Sequence, residues 1–195
     1  MARPREFDRC KALDSAMKLF WVRGYVSTSL PGLLAAMSIA RSSFYASFGT
    51  KKLLFIECLE LFGDRTLAII EQDAQSMPPA AVPRAFFEAT MLHVSPRRVK
   101  QGCMMVNTVL ELADVEPVLH QLAVEKLSAI ETAFARIFMR AQRAGELDTT
   151  VNPKELASLV MNINLGLRVQ SRKNHTRKEL KSIIDSSLSM LGLAA

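Results

Sequence analysis

Residues 30–55 read LPGLLAAMSIARSSFYASFGTKKLLF, and no other stretch limits the fold so tightly. An apolar segment from Leu30 to Met37 and a hydroxyl-rich one from Arg41 to Ser47 each span about two helical turns. Ser38, Ile39 and Ala40 part them, and Gly49 and Thr50 lead into a longer helix starting near Lys51. Helices this short are marginal alone, because fixing the first turn costs more than a few hydrogen bonds return. They persist only where longer neighbours clamp them. The stretch therefore demands a helix before it and another after it.

Both are present. Phe7, Cys10, Leu13, Met17, Phe20 and Trp21 recur at spacings of three and four, the mark of one buried helical face. Gly24 stops that helix, and Ser29 or Thr28 can cap the next, with Pro31 in its first turn. Downstream the periodicity predicts helices near 84–95, 101–113, 116–143, 153–173 and 177–191. Asn152 with Pro153, and Thr176 with Glu179 at capping-box spacing, mark the starts of the last two. No alternating strand pattern occurs, so the expected class is all-α. An N-terminal module over 1–52 is joined by a helix from about 51 to 75 to a body over 76–195, with the proline cluster SMPPAAVP at 76–83 as the seam.

The chain carries a formal charge of +6, and its placement is informative. Residues 1–52 hold nine Lys/Arg against three Asp/Glu, while the remainder holds sixteen of each. A basic module on a neutral body points to a polyanion at one end. Arg3, Arg5, Arg9 and Lys11 open the run, and Arg23, Arg41, Lys51 and Lys52 carry it through the short helices. Cys10, Cys58 and Cys103 are odd in number and widely spaced, which argues against a disulfide framework and a zinc site and fits a reducing compartment. The charged start MARPREFDRC is no signal peptide, and no run approaches the roughly 18 apolar residues of a membrane span. A cytoplasmic protein without metal or cofactor is expected.

Two short helices joined by a tight turn and braced on both sides describe a helix-turn-helix. The second helix has to enter a DNA major groove, so its outer face must be polar and its inner face needs few anchors. Phe44 and Phe48, four apart, supply the anchors, leaving Arg41, Ser42, Ser43, Tyr45 and Ala46 outside. Arg can bond guanine bidentately, Ser can donate or accept, and Ala can touch a thymine methyl. Thr28, Ser29 and Lys51 lie at helix starts, where backbone N–H groups favour phosphate.

The segment RGYVSTSLPGLLAAMSIARSSFYASFGTKKLLF resembles the DNA-binding part of the TetR family of transcriptional regulators. The pattern is carried by Gly24, Tyr25, Thr28, Ser29, Phe44, Tyr45, Phe48 and Lys51. It departs at Ser47, where members often carry His or Tyr, and at the small Ala46. The resemblance implies that the body is a helical effector-binding and dimerisation domain. It further implies a homodimer paired through the last two helices, about 153–191, on a palindromic double-stranded operator, released by a small molecule. The apolar rows Leu156, Leu159, Val160, Ile163, Leu167 and Leu180, Ile183, Ile184, Leu188, Leu191 independently suit such packing, within a subunit or across a two-fold axis. Activator and repressor share all these features; repressor is the expectation.

In GCMMVNTVLELA (102–113), Cys103, Asn107 and Glu111 fall four apart on an otherwise apolar segment. With Met104 they are the candidate effector-binding or sensing residues, since a polar stripe with adaptable methionines can line a cavity. The alternatives are that the stripe faces water or that Cys103 is a small core residue. The Gly-Cys pair also resembles a family branch whose thiol senses oxidants or electrophiles, and Arg97, Arg98 and Lys100 precede it. A rival reading is an all-α enzyme with an anionic cofactor, but no nucleophile, acid–base or phosphate-loop motif occurs. A third is a basic module docking an acidic protein. Only a regulator predicts affinity for one particular DNA sequence.

Overall fold

The computed structural model describes residues 7–173 and 176–193, and among these every regular element is helical. The chain forms two compact units. One comprises the chain up to Gly63 together with Met104–Val124, and the other comprises Asp64–Cys103 with the chain from Glu125 onward. The division falls inside a helix near residue 63 rather than at the prolines, and the first unit borrows a piece of chain from beyond them.

In the first unit, α1 (Arg9–Arg23) begins at Asp8, whose carboxylate accepts the Lys11 N–H at 3.1 Å, and ends at Gly24. α2 (Leu30–Met37) is capped by Ser29, which accepts from Gly32 N–H at 3.2 Å, with Pro31 in the first turn as expected. It stops at Ser38, held at φ 55° in the left-handed region. α3 (Arg41–Phe48) follows α2 after three residues, Ser38, Ile39 and Ala40, and ends at Gly49. α4 (Lys51–Ser76) starts with the Thr50 hydroxyl accepting from Leu53 N–H at 3.1 Å, and runs on into the second unit. The first unit is completed by α7 (Met104–Leu112) and the opening turns of α8 (Pro117–Arg143).

Its core is built from one face of each helix: Ala16 and Phe20, Leu33 and Met37, Phe44 and Phe48, Leu54, Phe55 and Leu59. Met104, Leu112 and Leu119 close it. Phe20 meets Phe55 edge to face with ring centroids 4.8 Å apart, a favourable aromatic geometry. Cys58 is fully buried here, its burial pushing the thiol far above the usual range; it is a core residue.

The second unit contains the rest of α4 and α8, α5 (Val82–Phe87), α6 (Pro96–Lys100), α9 (Pro153–Gln170) and α10 (Arg177–Met190). Phe86, Phe134, Val160 and Ile184 are among its fully buried side chains. The Asn152 cap and the Thr176–Glu179 capping box both form. The helix expected over 84–95 is instead α5 followed by a wider π-helical turn, Glu88–Leu92. There the Thr90 hydroxyl donates back to Phe86 O at 2.7 Å, and Arg168 donates to Thr90 O at 3.2 Å. A helix is also shorter at 104–112 than the expected 101–113, because Gly102 takes φ 72°.

Candidate nucleic-acid interface

At about 100° per residue, Arg41, Tyr45, Ser42 and Ala46 occupy one continuous arc of roughly 140° on α3. All four are exposed, Tyr45 at 51%. Phe44 and Phe48 occupy the adjoining face at 1% and 3% exposure, and Ser43 is half-buried at the other edge of the arc. Neighbouring rings thus part company: Phe44 goes inward and Tyr45 outward, touching edge to face at 5.4 Å. The arc presents one guanidinium, hydroxyls, a phenol and a methyl, a set able to address base edges and phosphates.

A clamp absent from the sequence reading sets the pose of α3. Arg9 donates to both Glu57 carboxylate oxygens at 2.7 and 2.9 Å and to Ser47 O at 3.3 Å, with its guanidinium 4.6 Å from the Phe48 ring centre. One side chain of α1 thereby ties α3 to α4. Its partners lie 38 and 48 residues away, so no local pattern could have announced it. Part of the basic surplus is consumed in the same way. Lys18 pairs with Asp14 at 2.6 Å and Lys52 with Glu116 at 2.8 Å, whereas exposed Arg41 holds no carboxylate among the described residues. Arg3 and Arg5 lie outside the described residues.

The helix-start residues divide. Ser29 is exposed and caps α2. Lys51 is half-buried, its amine 4.4 Å from the Tyr25 ring centre; burial lowers its pKa while the Glu111 charge opposes the shift. Thr28 is 1% exposed, and its hydroxyl donates to Gly24 O at 2.6 Å within the α1–α2 turn.

The candidate effector residues are divided between the two units. Cys103 precedes α7 and belongs to the second unit, while Met104, Asn107 and Glu111 belong to the first. Met104 is buried in the first core. Glu111 accepts the Tyr25 N–H at 3.0 Å and the Val26 N–H at 2.8 Å. Cys103 is 5% exposed, within electrostatic reach of Arg168, which hydrogen-bonds Asn164 and Thr90 O. A separate cleft of about 280 Å³ in the second unit is lined by Ile70, Glu71, Ala133, Arg136, Ile137 and Arg140, none of them in the stripe. Among the described residues no cluster of acidic, His or Cys side chains could hold a metal, and no helix is long and apolar enough to cross a membrane.

Comparison with known proteins meets this geometry from outside. Residues 12–58 match the model for bacterial regulatory proteins of the tetR family, and residues 81–186 match the tetracyclin repressor-like C-terminal domain. The HTH-type transcriptional regulator YezE of Bacillus subtilis (strain 168) is 30% identical across 98% of this chain and 100% of its own. The HTH-type transcriptional repressor ComR of Escherichia coli (strain K12) is 28% identical across 95% of this chain and 90% of its own. Among solved structures, the TetR family regulator CifR, a cysteine-substituted form complexed with 26-base-pair operator DNA, superposes with a TM-score of 0.85. It is 27% identical and the match covers 96% of this chain and 98% of that one.

Proposed function

We propose, from the premise that this chain belongs to the TetR family of DNA-binding transcriptional regulators, that it is a homodimeric repressor which a small-molecule or electrophilic signal releases from a palindromic operator. The family is one of regulators, not enzymes. The observation that carries the reading is the outward arc of α3, with Arg41, Ser42 and Tyr45 exposed on a helix anchored by two buried phenylalanines. In this reading Arg41, Ser42, Ser43 and Tyr45 address the major groove, and Ser29 and Lys51 lie beside the phosphates. ComR, named as a repressor, supports the direction of control.

Pairing is supported by apolar side chains left outside on the last two helices. Leu159 and Val169 on α9 are each 51% exposed, and Ile183 and Met190 on α10 are 37% and 87% exposed. One short recognition helix reads few base pairs, and a two-fold partner doubles the site. The signal is read in the second unit, through its cleft or through Cys103. Release would require a coupling of about 1–3 kcal/mol between signal and operator.

The test is selection of bound duplexes from a random pool, followed by anisotropy titration across salt. The expected result is a palindrome with half-sites about one helical turn apart, or a multiple of it, and affinity that falls steeply with salt. Arg41→Ala should cost about 1–3 kcal/mol and relax the preference at one position in each half-site. Bound pools without a shared sequence would refute the reading. Alkylation followed by the same titration, on wild type and Cys103→Ser, decides between signals: equal responses remove the thiol as sensor and leave the cleft.

A further inference from the structure

Glu111 sits where no effector is needed to explain it. Its two carboxylate oxygens each accept one of two successive backbone N–H groups, Tyr25 to Oε2 and Val26 to Oε1. Successive amides converging on one anion form a nest, the geometry with which bare backbone holds a phosphate. Here the anion is built into the chain. Gly24 makes room for it: its φ is 79°, and a Cβ there would fall 2.5 Å from Glu111 Oε2. The turn so held leads directly into the Ser29 cap of α2. Lys51, the first residue of α4, rests over Tyr25 and feels the Glu111 charge, and Glu116 holds the adjoining Lys52 at 2.8 Å. The borrowed segment that carries Glu111 and Glu116 thus grips the helix-turn-helix where α2 begins and where α4 begins.

We propose that Glu111 is a positioning residue for DNA recognition: by filling the amide nest after Gly24 it fixes the angle at which α2 leaves the turn, and with it the presentation of α3. The inference rests on the DNA-binding reading above. A simple electrostatic view predicts the opposite sign, because deleting a negative charge from a protein that binds a polyanion tightens binding.

Glu111→Gln, Glu111→Asp and wild type are titrated by fluorescence anisotropy against the selected operator and against a scrambled duplex of equal length, with thermal unfolding of each. Glutamine keeps the length but loses the anion; aspartate keeps the anion but is one methylene too short to reach both amides. Both variants are expected to lose about tenfold in operator affinity, with scrambled-duplex affinity unchanged for aspartate and unchanged or tighter for glutamine. Unchanged or tighter operator binding by Glu111→Gln, or wild-type operator binding by Glu111→Asp, overturns the proposal. So does an equal loss on both duplexes, the signature of a merely weakened fold. If Glu111→Gln is unfolded at the assay temperature, Glu111→Asp decides, together with amide exchange at Tyr25 and Val26. Protection of those two amides that survives in Glu111→Asp overturns the role. A wild type that cannot tell the duplexes apart defeats the regulator reading itself, and this inference with it.

Discussion

Phe44 and Tyr45 are adjacent in the sequence and opposite in duty, which allows stability and recognition to be separated by single substitutions. Phe44 is 1% exposed, and Phe44→Ala leaves a cavity in the core beside Phe48. The expected cost is about 3–5 kcal/mol in chemical denaturation. Tyr45→Ala removes only the outer ring of an edge-to-face pair, a loss of about 1 kcal/mol, yet should weaken operator binding while the protein remains folded. Equal destabilisation by the two would contradict the assignment of inner and outer faces. The pair was legible in the sequence because a two-turn helix can bury only one of two neighbouring rings. Thr28 was not, since a hydroxyl at a helix start reads alike whether it caps, meets phosphate or, as here, turns back to Gly24 O.

At the scale of elements, ends were more legible than interiors. Ser29, Asn152 and the Thr176–Glu179 box declare themselves locally and form as expected. The π-helical turn at Glu88–Leu92 depends in part on Arg168, 78 residues on, and could not be read. The Arg9 clamp and the Glu111 nest were hidden for the same reason: their partners are distant, and periodicity reports faces without naming what meets them. Within α4, Asp73 shows an element tolerating a local misfit. It lies in the last turn, where the helix dipole disfavours an anion, and its Oδ2 is buried without a hydrogen-bond partner among the described residues. Burial raises its carboxyl above the usual carboxylate range. The folded state therefore keeps this proton at a pH where the unfolded chain has released it, so the contribution to stability is present at low pH and declines as pH rises through that window. Asp73→Asn should flatten that decline and raise the melting temperature near neutral pH, measured by thermal unfolding from about pH 4, the carboxylate range, up to neutrality.

For the whole molecule, the reading requires two copies. Leu159 and Ile183 are 51% and 37% exposed, so replacing both with Asp should spare each subunit's core while disfavouring pairing. Sedimentation is expected to show a shift from dimer to monomer, and operator affinity to fall far more than affinity for a half-site. A double variant that stays dimeric would move the interface elsewhere. The family was readable from residues 7–60 because that motif is local and ordered, and the all-α class from helical periodicity along the chain; the composition of the two units was not, since their membership is decided by long-range packing. The proline cluster looks like a seam, yet the first unit reaches past it to recruit Met104, Leu112 and Leu119.

That recruitment bears on anyone who would graft this reader onto a foreign sensor. A fragment ending at Gly63 carries every residue proposed to meet DNA, but leaves behind three apolar plugs of its own core and the carboxylate seated behind Gly24. Such a fragment should behave as a greasy, loosely folded stub. A working transplant has to take both lengths of chain.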